Sequence, residues 1–76
     1  MNKERRELIT EIIEKLQNWK EEAARVLEEE QEYFDNMPEG LQVGERGDKA
    51  QEAIQNLENA VESLDTAVES LESAKE

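Results

Sequence analysis

The sequence predicts an all-α protein: an antiparallel two-helix hairpin with coiled-coil heptad seams that associates into a helical bundle. Apolar residues recur at steps of three and four along both halves of the chain, which is the spacing of one helix face. The only Pro and all three Gly lie between residues 38 and 47, where they interrupt this pattern. We therefore predict one domain of 76 residues, with a helix at 3–36, a connector at 37–47 and a second helix at 48–74.

The first helix is predicted to begin after Asn2, whose side chain suits a helix cap, and to end before Pro38. A second apolar row runs beside its heptad seam, and a stripe this wide predicts two helical neighbours. Trp19 lies in the seam and is expected in the core; an exposed Trp19 would mark a partner surface. The seam comprises Ile9, Ile12, Leu16, Trp19, Ala23, Val26, Glu30, Tyr33 and Met37, and the second row comprises Ile13, Ala24, Leu27 and Phe34.

The second helix contains a seven-residue repeat, AIQNLEN, AVESLDT, AVESLES. Asp48 and Gln51 have the spacing of a capping box, with Gly47 expected in the turn before them. A row of alanines beside the seam permits close approach of a neighbouring helix. The predicted inward positions are Ile54, Leu57, Val61, Leu64, Val68 and Leu71.

The charge restricts the possible functions. Acidic residues number 21 and basic residues 9, for a net charge of −12, and the chain contains no His and no Cys. Disulfides, thiolate chemistry and histidine catalysis are therefore excluded, and we expect no enzyme activity, no cofactor and no metal site. A strongly negative surface repels phosphate backbones and anionic lipids, so we expect neither direct nucleic-acid binding nor membrane binding.

The charge also favours pairing of the helices in opposite directions. Residues 1–25 carry six basic and six acidic side chains, whereas the second helix has no basic residue between Lys49 and Lys75. A lone hairpin this small buries too little apolar surface to offset its ordering entropy, so we expect a homo-oligomer. The first fifteen residues are charged throughout and lack the apolar segment of a signal peptide, which predicts a cytoplasmic protein.

The connector region, EYFDNMPEGLQVGERG, repeats nothing else in the chain. One interpretation is an end-plug, in which aromatic and apolar side chains, Leu41 and Val43 among them, fold over the open end of the core. The other is a binding site for a partner or ligand. Its candidate residues are Tyr33, Phe34, Met37, Leu41, Val43, Arg46 and Lys49.

Two acidic surfaces accompany this region. The first lies at the C-terminal end of the first helix, where the macrodipole disfavours negative charge. Residues placed against such a local preference often mark a functional site. The spacing also resembles the EExxE…ExxD pattern of all-α nucleoside triphosphate pyrophosphatases, but a chain this acidic produces such spacings by chance. The acidic surfaces comprise Glu28, Glu29, Glu32 and Asp35 on the first helix and Glu58, Glu62, Asp65, Glu69 and Glu72 on the second.

The stretch from Glu28 to Leu64 resembles a class of small acidic helical proteins of bacteriophages and prophages. The residues that carry the likeness are Glu30 to Phe34, Asn36 to Pro38, Leu41-Gln42, Glu45 to Gly47 and the Ala-rich repeat that follows. This resemblance implies a non-enzymatic accessory protein in the host cytoplasm, acting by binding and disabling a host defence component.

Three functions remain open from the sequence. The first is a homo-oligomeric acidic bundle that binds and inhibits or sequesters a host protein. The second is a sponge for a cyclic nucleotide or similar signalling molecule at subunit junctions, for which Tyr33, Phe34, Arg46 and Lys49 supply aromatic and basic groups. The third is a purely structural assembly module without a ligand.

Overall fold

In a computed structural model covering residues 1–76, the chain is entirely helical outside its short connections. Helix α1 spans Lys3–Asp35, helix α2 spans Glu39–Gln42 and helix α3 spans Glu45–Ala74. The two long helices pack along each other in a rod of 58 × 14 × 12 Å. The predicted all-α class is confirmed.

Helix α1 has the predicted cap at its first turn. The Asn2 side chain accepts a hydrogen bond from the Arg5 backbone N–H at 2.9 Å, which satisfies one of the unpaired donors of the first turn. The helix ends at Asp35, one residue before the predicted boundary. Pro38 follows three residues later and begins the next turn as the residue that precedes α2.

Two side-chain contacts define how the long helices lie. Lys20 Nζ is 2.9 Å from Asp65 Oδ1, and Lys75 Nζ donates to Thr10 Oγ1 at 3.2 Å. In each pair one residue precedes the connector and the other follows it, and both lie at the same sequence distance from the point between Gln42 and Val43. The start of α1 therefore lies beside the end of α3.

The inner face of α3 is the one that the repeat predicts. Ile54 and Val68 are buried, and the other four predicted inward positions are half-buried. Ala50 extends the same face toward the connector and is also buried. A regular heptad repeat defines the apolar face of its helix locally, so this face is the one buried when α3 packs against a neighbouring helix.

The inner face of α1 differs from the prediction. Alternate members of the predicted seam face α3, whereas the members between them are exposed: Ile12, Trp19, Val26 and Tyr33. The prediction of Trp19 as a core residue is therefore wrong. The second row supplies the other half of the contact, except for Ala24, which is exposed. One neighbouring helix covers only part of a wide apolar stripe, and α3 covers the side that carries the second row. The residues of α1 that face α3 are Ile9, Ile13, Leu16, Lys20, Ala23, Leu27, Glu30 and Phe34, and Met37, just beyond the end of α1, continues this face.

Helix α3 begins three residues before the predicted boundary. Gly44 lies at its cap, and the Asp48 N–H donates to the Gly44 carbonyl at 3.0 Å. Asp48 is therefore inside the first turn, and the predicted capping role of Asp48 with Gln51 is wrong. Gly47 is buried within the helix with no left-handed backbone conformation. A Cβ at this position would overlap the backbone of Gln42, so glycine permits the close approach of α2 to α3.

The core of this rod is small. Only 6 of 76 residues are buried, and no large side chain is fully buried. The radius of gyration is 17.2 Å, whereas a compact chain of this length has a value of about 11 Å. None of the helices combines the length and apolar character needed to cross a membrane.

Candidate functional site: the connector cleft

A cleft of about 330 Å³ lies where the three helices meet. Residues from α1, α2, α3 and the α1–α2 connection contribute to its wall. The two other surface depressions are each lined by residues of a single helix. We call this site the connector cleft; it is lined by Tyr33, Asn36, Met37, Pro38, Leu41 and Arg46.

The backbone around the connector cleft is held by specific contacts. The Gln42 side-chain amide donates to the Phe34 carbonyl at 2.9 Å, and this carbonyl at the C-terminal end of α1 also accepts from the Met37 backbone N–H at 3.1 Å. Gln42 also lies directly against Gly47 of α3. The end of α2 therefore contacts both long helices, and the packing of all three helices positions the cleft.

Four of the seven predicted connector residues meet at the cleft: Tyr33, Met37, Leu41 and Arg46. Phe34 instead turns toward α3 and is half-buried. Lys49 is exposed on the outside of α3, where its Nζ lies 3.5 Å from Glu45 Oε1.

Asn36 and Pro38 also line the cleft and were not predicted as site residues. They flank Met37 in the non-repeating stretch. The sequence predicts only that Pro38 ends the first helix.

The end-plug interpretation holds for part of the connector. Met37 is buried and Phe34 is half-buried, so these two side chains close the end of the core. Leu41 and Val43 do not fold over it, and Val43 is 83 % exposed. Both lie in or beside the short helix α2 rather than in an extended segment, so the alternation expected to turn them inward does not occur.

The acidic residues lie around the cleft and along α3, not inside the cleft. Glu28, Glu29, Glu32 and Asp35 are exposed on the last turns of α1, which carry no basic residue in the final turn. On α3, Asp65 pairs with Lys20, and the rest of the predicted acidic row is exposed: Glu58, Glu62, Glu69 and Glu72. No three carboxylates come together in a group able to hold a metal ion.

A second exposed feature follows α1 for most of its length. We call it the α1 stripe; its members are between 44 and 58 % exposed. Its last residue, Tyr33, also lines the connector cleft. The sequence pattern predicts most of these residues in the core. The width of the apolar face of α1 is the signal that they require a second neighbouring helix. The α1 stripe comprises Leu8, Ile12, Trp19, Val26 and Tyr33.

The groups at the connector cleft are suited to binding. Tyr33 offers an aromatic face, Met37 and Leu41 offer apolar contact, and Arg46 offers a permanent positive charge with several donors. Comparisons with protein families, with characterised proteins and with solved structures find no match to this chain.

Proposed function

We propose that this protein is a non-enzymatic accessory protein that binds and inhibits or sequesters a host component, acting as a homo-oligomeric acidic helical bundle. The observation that carries the proposal is the connector cleft, which joins apolar, aromatic and cationic groups from three helices. Pockets with this mixture are the usual sites of recognition.

The surroundings of the connector cleft favour a partner with basic groups. Glu32 and Asp35 on α1 and Glu39 on α2 are exposed close to its lining residues along the chain, and the whole chain has a net charge of −12. A negative field of this size steers a basic protein surface toward the protein. We propose that such a partner inserts an apolar side chain between Tyr33 and Leu41.

The resemblance to small acidic proteins of bacteriophages supports a bacterial host protein, a defence component among them, as this partner. Such a protein would act by occupying its target in the host cytoplasm. This function requires a stable surface and no reacting group, which is consistent with a site composed of binding groups.

We further propose that the chain forms an antiparallel helical hairpin and that hairpins associate into a bundle. The Lys20–Asp65 and Lys75–Thr10 contacts support the hairpin. The small core and the exposed α1 stripe support the association, because apolar surface of this extent along one helix favours burial against another. Sedimentation equilibrium should therefore give a multiple of the 8.8 kDa chain mass.

A second candidate function is sequestration of a cyclic nucleotide or a similar signalling molecule. It is supported by the presence of Tyr33 and Arg46 in one cleft, because an aromatic ring stacks on a base and a guanidinium binds phosphate. Lys49 does not line the cleft, so Arg46 is its single cationic residue. A structural module without a ligand is the third alternative.

Native mass spectrometry of the protein purified from bacterial cells tests these proposals. The informative variants are Leu41→Ser and Arg46→Gln, which change the lining of the connector cleft. Val43→Ser is the matched control, because Val43 is an exposed apolar connector residue that does not line the cleft. All three positions are exposed, so the helices should form in every variant.

The outcomes separate the candidates. A retained host protein that is lost with Leu41→Ser and Arg46→Gln but kept with Val43→Ser supports the interaction function. A small retained mass with the same dependence supports the sponge. A bound species that survives both cleft variants would show that the connector cleft is not the site, and no bound species at all would favour the structural module.

A further inference from the structure

We propose that the α1 stripe is the contact surface between two copies of this chain, and that the two α1 helices pack against each other in opposite directions. This inference rests on the self-association proposed above and adds the surface, the direction and the register. It follows from where the exposed apolar residues lie, from the charges beside them and from their spacing.

The position of the exposed apolar residues selects α1 as the contact helix in both copies. Every large hydrophobic residue that is exposed lies in residues 1–43, and none lies on α3. The outer face of α3 is instead composed of acidic and small polar residues. Within a second copy of the chain, the only long apolar surface able to cover the α1 stripe is therefore another α1 stripe.

The charges on α1 select the opposite direction. Residues 1–25 contain six basic and six acidic side chains, whereas residues 26–35 contain five acidic side chains and no basic one. Packing in the same direction would place the two acidic segments side by side. Packing in opposite directions, with Ile12 across from Tyr33, places each acidic segment beside residues 10–19 of the other helix. These residues carry one basic and two acidic side chains, so the repulsion is lower than between two acidic segments.

The spacing of the α1 stripe then defines a register. Ile12, Trp19, Val26 and Tyr33 follow one another at intervals of seven. Two such rows in opposite directions match when Ile12 lies across from Tyr33 of the second copy and Trp19 lies across from Val26. The two-fold axis then passes between Glu22 and Ala23.

The same register satisfies charges at the edge of the contact. Lys15 is brought beside Glu29 of the second copy, and both residues are exposed and lie next to the α1 stripe on the helix surface. The pair occurs twice because of the two-fold axis. These are edge contacts, which contribute more to orientation than to affinity.

One consequence concerns the connector cleft. In this register Leu8 of the second copy lies level with Met37, which follows the end of α1 and lines the cleft of the first copy. Tyr33 would then contact the second copy with one part of its ring and line the cleft with another. Each connector cleft is in this way completed by the N-terminal turns of α1 from the other chain.

Cross-linking of single-cysteine variants tests the arrangement, because the natural chain has no Cys. The variants are Lys15→Cys, Glu22→Cys and Glu29→Cys, all at exposed positions beside the α1 stripe. Asn59→Cys on the outer side of α3 is the matched control for random collisions. A bismaleimide with a spacer of about 10 Å spans the usual distance between packed helices.

The proposed register predicts a specific pattern of products. Glu22→Cys should cross-link with itself. Lys15→Cys and Glu29→Cys should each fail to cross-link with themselves, because like positions are displaced by about 20–22 Å along the helix axis at 1.5 Å per residue. The same two variants, unfolded and refolded together, should form the mixed product. Asn59→Cys should give none of these products.

Other patterns would overturn the proposal. Packing in the same direction would cross-link Lys15→Cys and Glu29→Cys individually and leave their mixture without a mixed product. Cross-linking at no α1 position above the level of Asn59→Cys would remove α1 as the contact. In that case sedimentation equilibrium distinguishes failure of the α1 contact from failure of self-association. A monomer refutes both proposals, whereas an oligomer refutes only the α1 contact.

Discussion

Replacement of Gly47 by alanine tests whether the close approach of α2 to α3 holds the connector in place. Alanine normally stabilises a helix position over glycine by up to about 1 kcal/mol, because glycine has more conformational freedom to lose. At Gly47 the added Cβ would overlap the Gln42 carbonyl and lie 2.7 Å from the Gln42 Cα. These are backbone atoms, so no change of rotamer relieves the overlap.

The expected result is a loss of stability. Overpacking of this kind costs about 1–3 kcal/mol, and relief would require α2 to move away from α3. Such a movement would also stretch the hydrogen bond from the Gln42 side chain to the Phe34 carbonyl. After subtracting the helix-propensity gain of up to about 1 kcal/mol, we expect Gly47→Ala to lower the free energy of unfolding by up to about 2 kcal/mol.

Urea unfolding followed by circular dichroism at one fixed protein concentration measures this change, since self-association makes stability depend on concentration. A loss of this size moves the urea midpoint by roughly 1 M. Gly40→Ala is the matched control: Gly40 lies in α2 and an added Cβ meets nothing within 4 Å. It should leave stability equal or raised by about 0.4–1 kcal/mol. A Gly47→Ala protein at least as stable as the wild type would refute the close approach of α2 and α3.

Four further results are expected. Trp19 is the only tryptophan, so its fluorescence emission should shift to shorter wavelength as protein concentration rises; an emission spectrum that does not change with concentration, in a protein shown to self-associate, would contradict burial of the α1 stripe. Asn2→Ala should cost about 1 kcal/mol of unfolding free energy through loss of the cap, and an unchanged urea midpoint would argue against it. Asp65→Asn should cost less than about 1 kcal/mol, because its contact with Lys20 is exposed to solvent; a larger loss would mean that this pair is more important than its exposure indicates. Ile54→Ala should cost about 2–5 kcal/mol in the same assay, and a near-neutral result would show that this part of the interface is not tightly packed.

The functional prediction can be checked independently of stability. Leu41→Ser and Val43→Ser each replace an exposed apolar residue of the connector, but only Leu41 lines the connector cleft. Loss of partner binding with the first and not the second is expected, and it should be accompanied by unchanged helix content. Raising the salt concentration should weaken binding of a basic partner, because the attraction to exposed carboxylates is screened.

Much of the connector was recognisable in the sequence as a separate region, yet its geometry was not. Pro38 and the glycines located the break in the helices, and Tyr33, Met37, Leu41 and Arg46 were already candidate residues. Their meeting in one cleft depends on α2, a helix of four residues, and on the contact of Gln42 with Gly47. Contacts between neighbouring helices of this kind leave no periodic signal, so Gly47 reads as an ordinary turn glycine.

The helices and the inner face of α3 follow from the amino-acid sequence alone, because a heptad repeat is a local property of the chain. The sequence also shows that α1 has more apolar surface than one neighbour can cover. Which part of that surface faces α3, and which part remains exposed as the α1 stripe, depends on how the two long helices pack. Both parts have helical spacing and apolar side chains, so the choice depends on the rotation of α1 against α3, which is set by the packing of residues far apart in the chain.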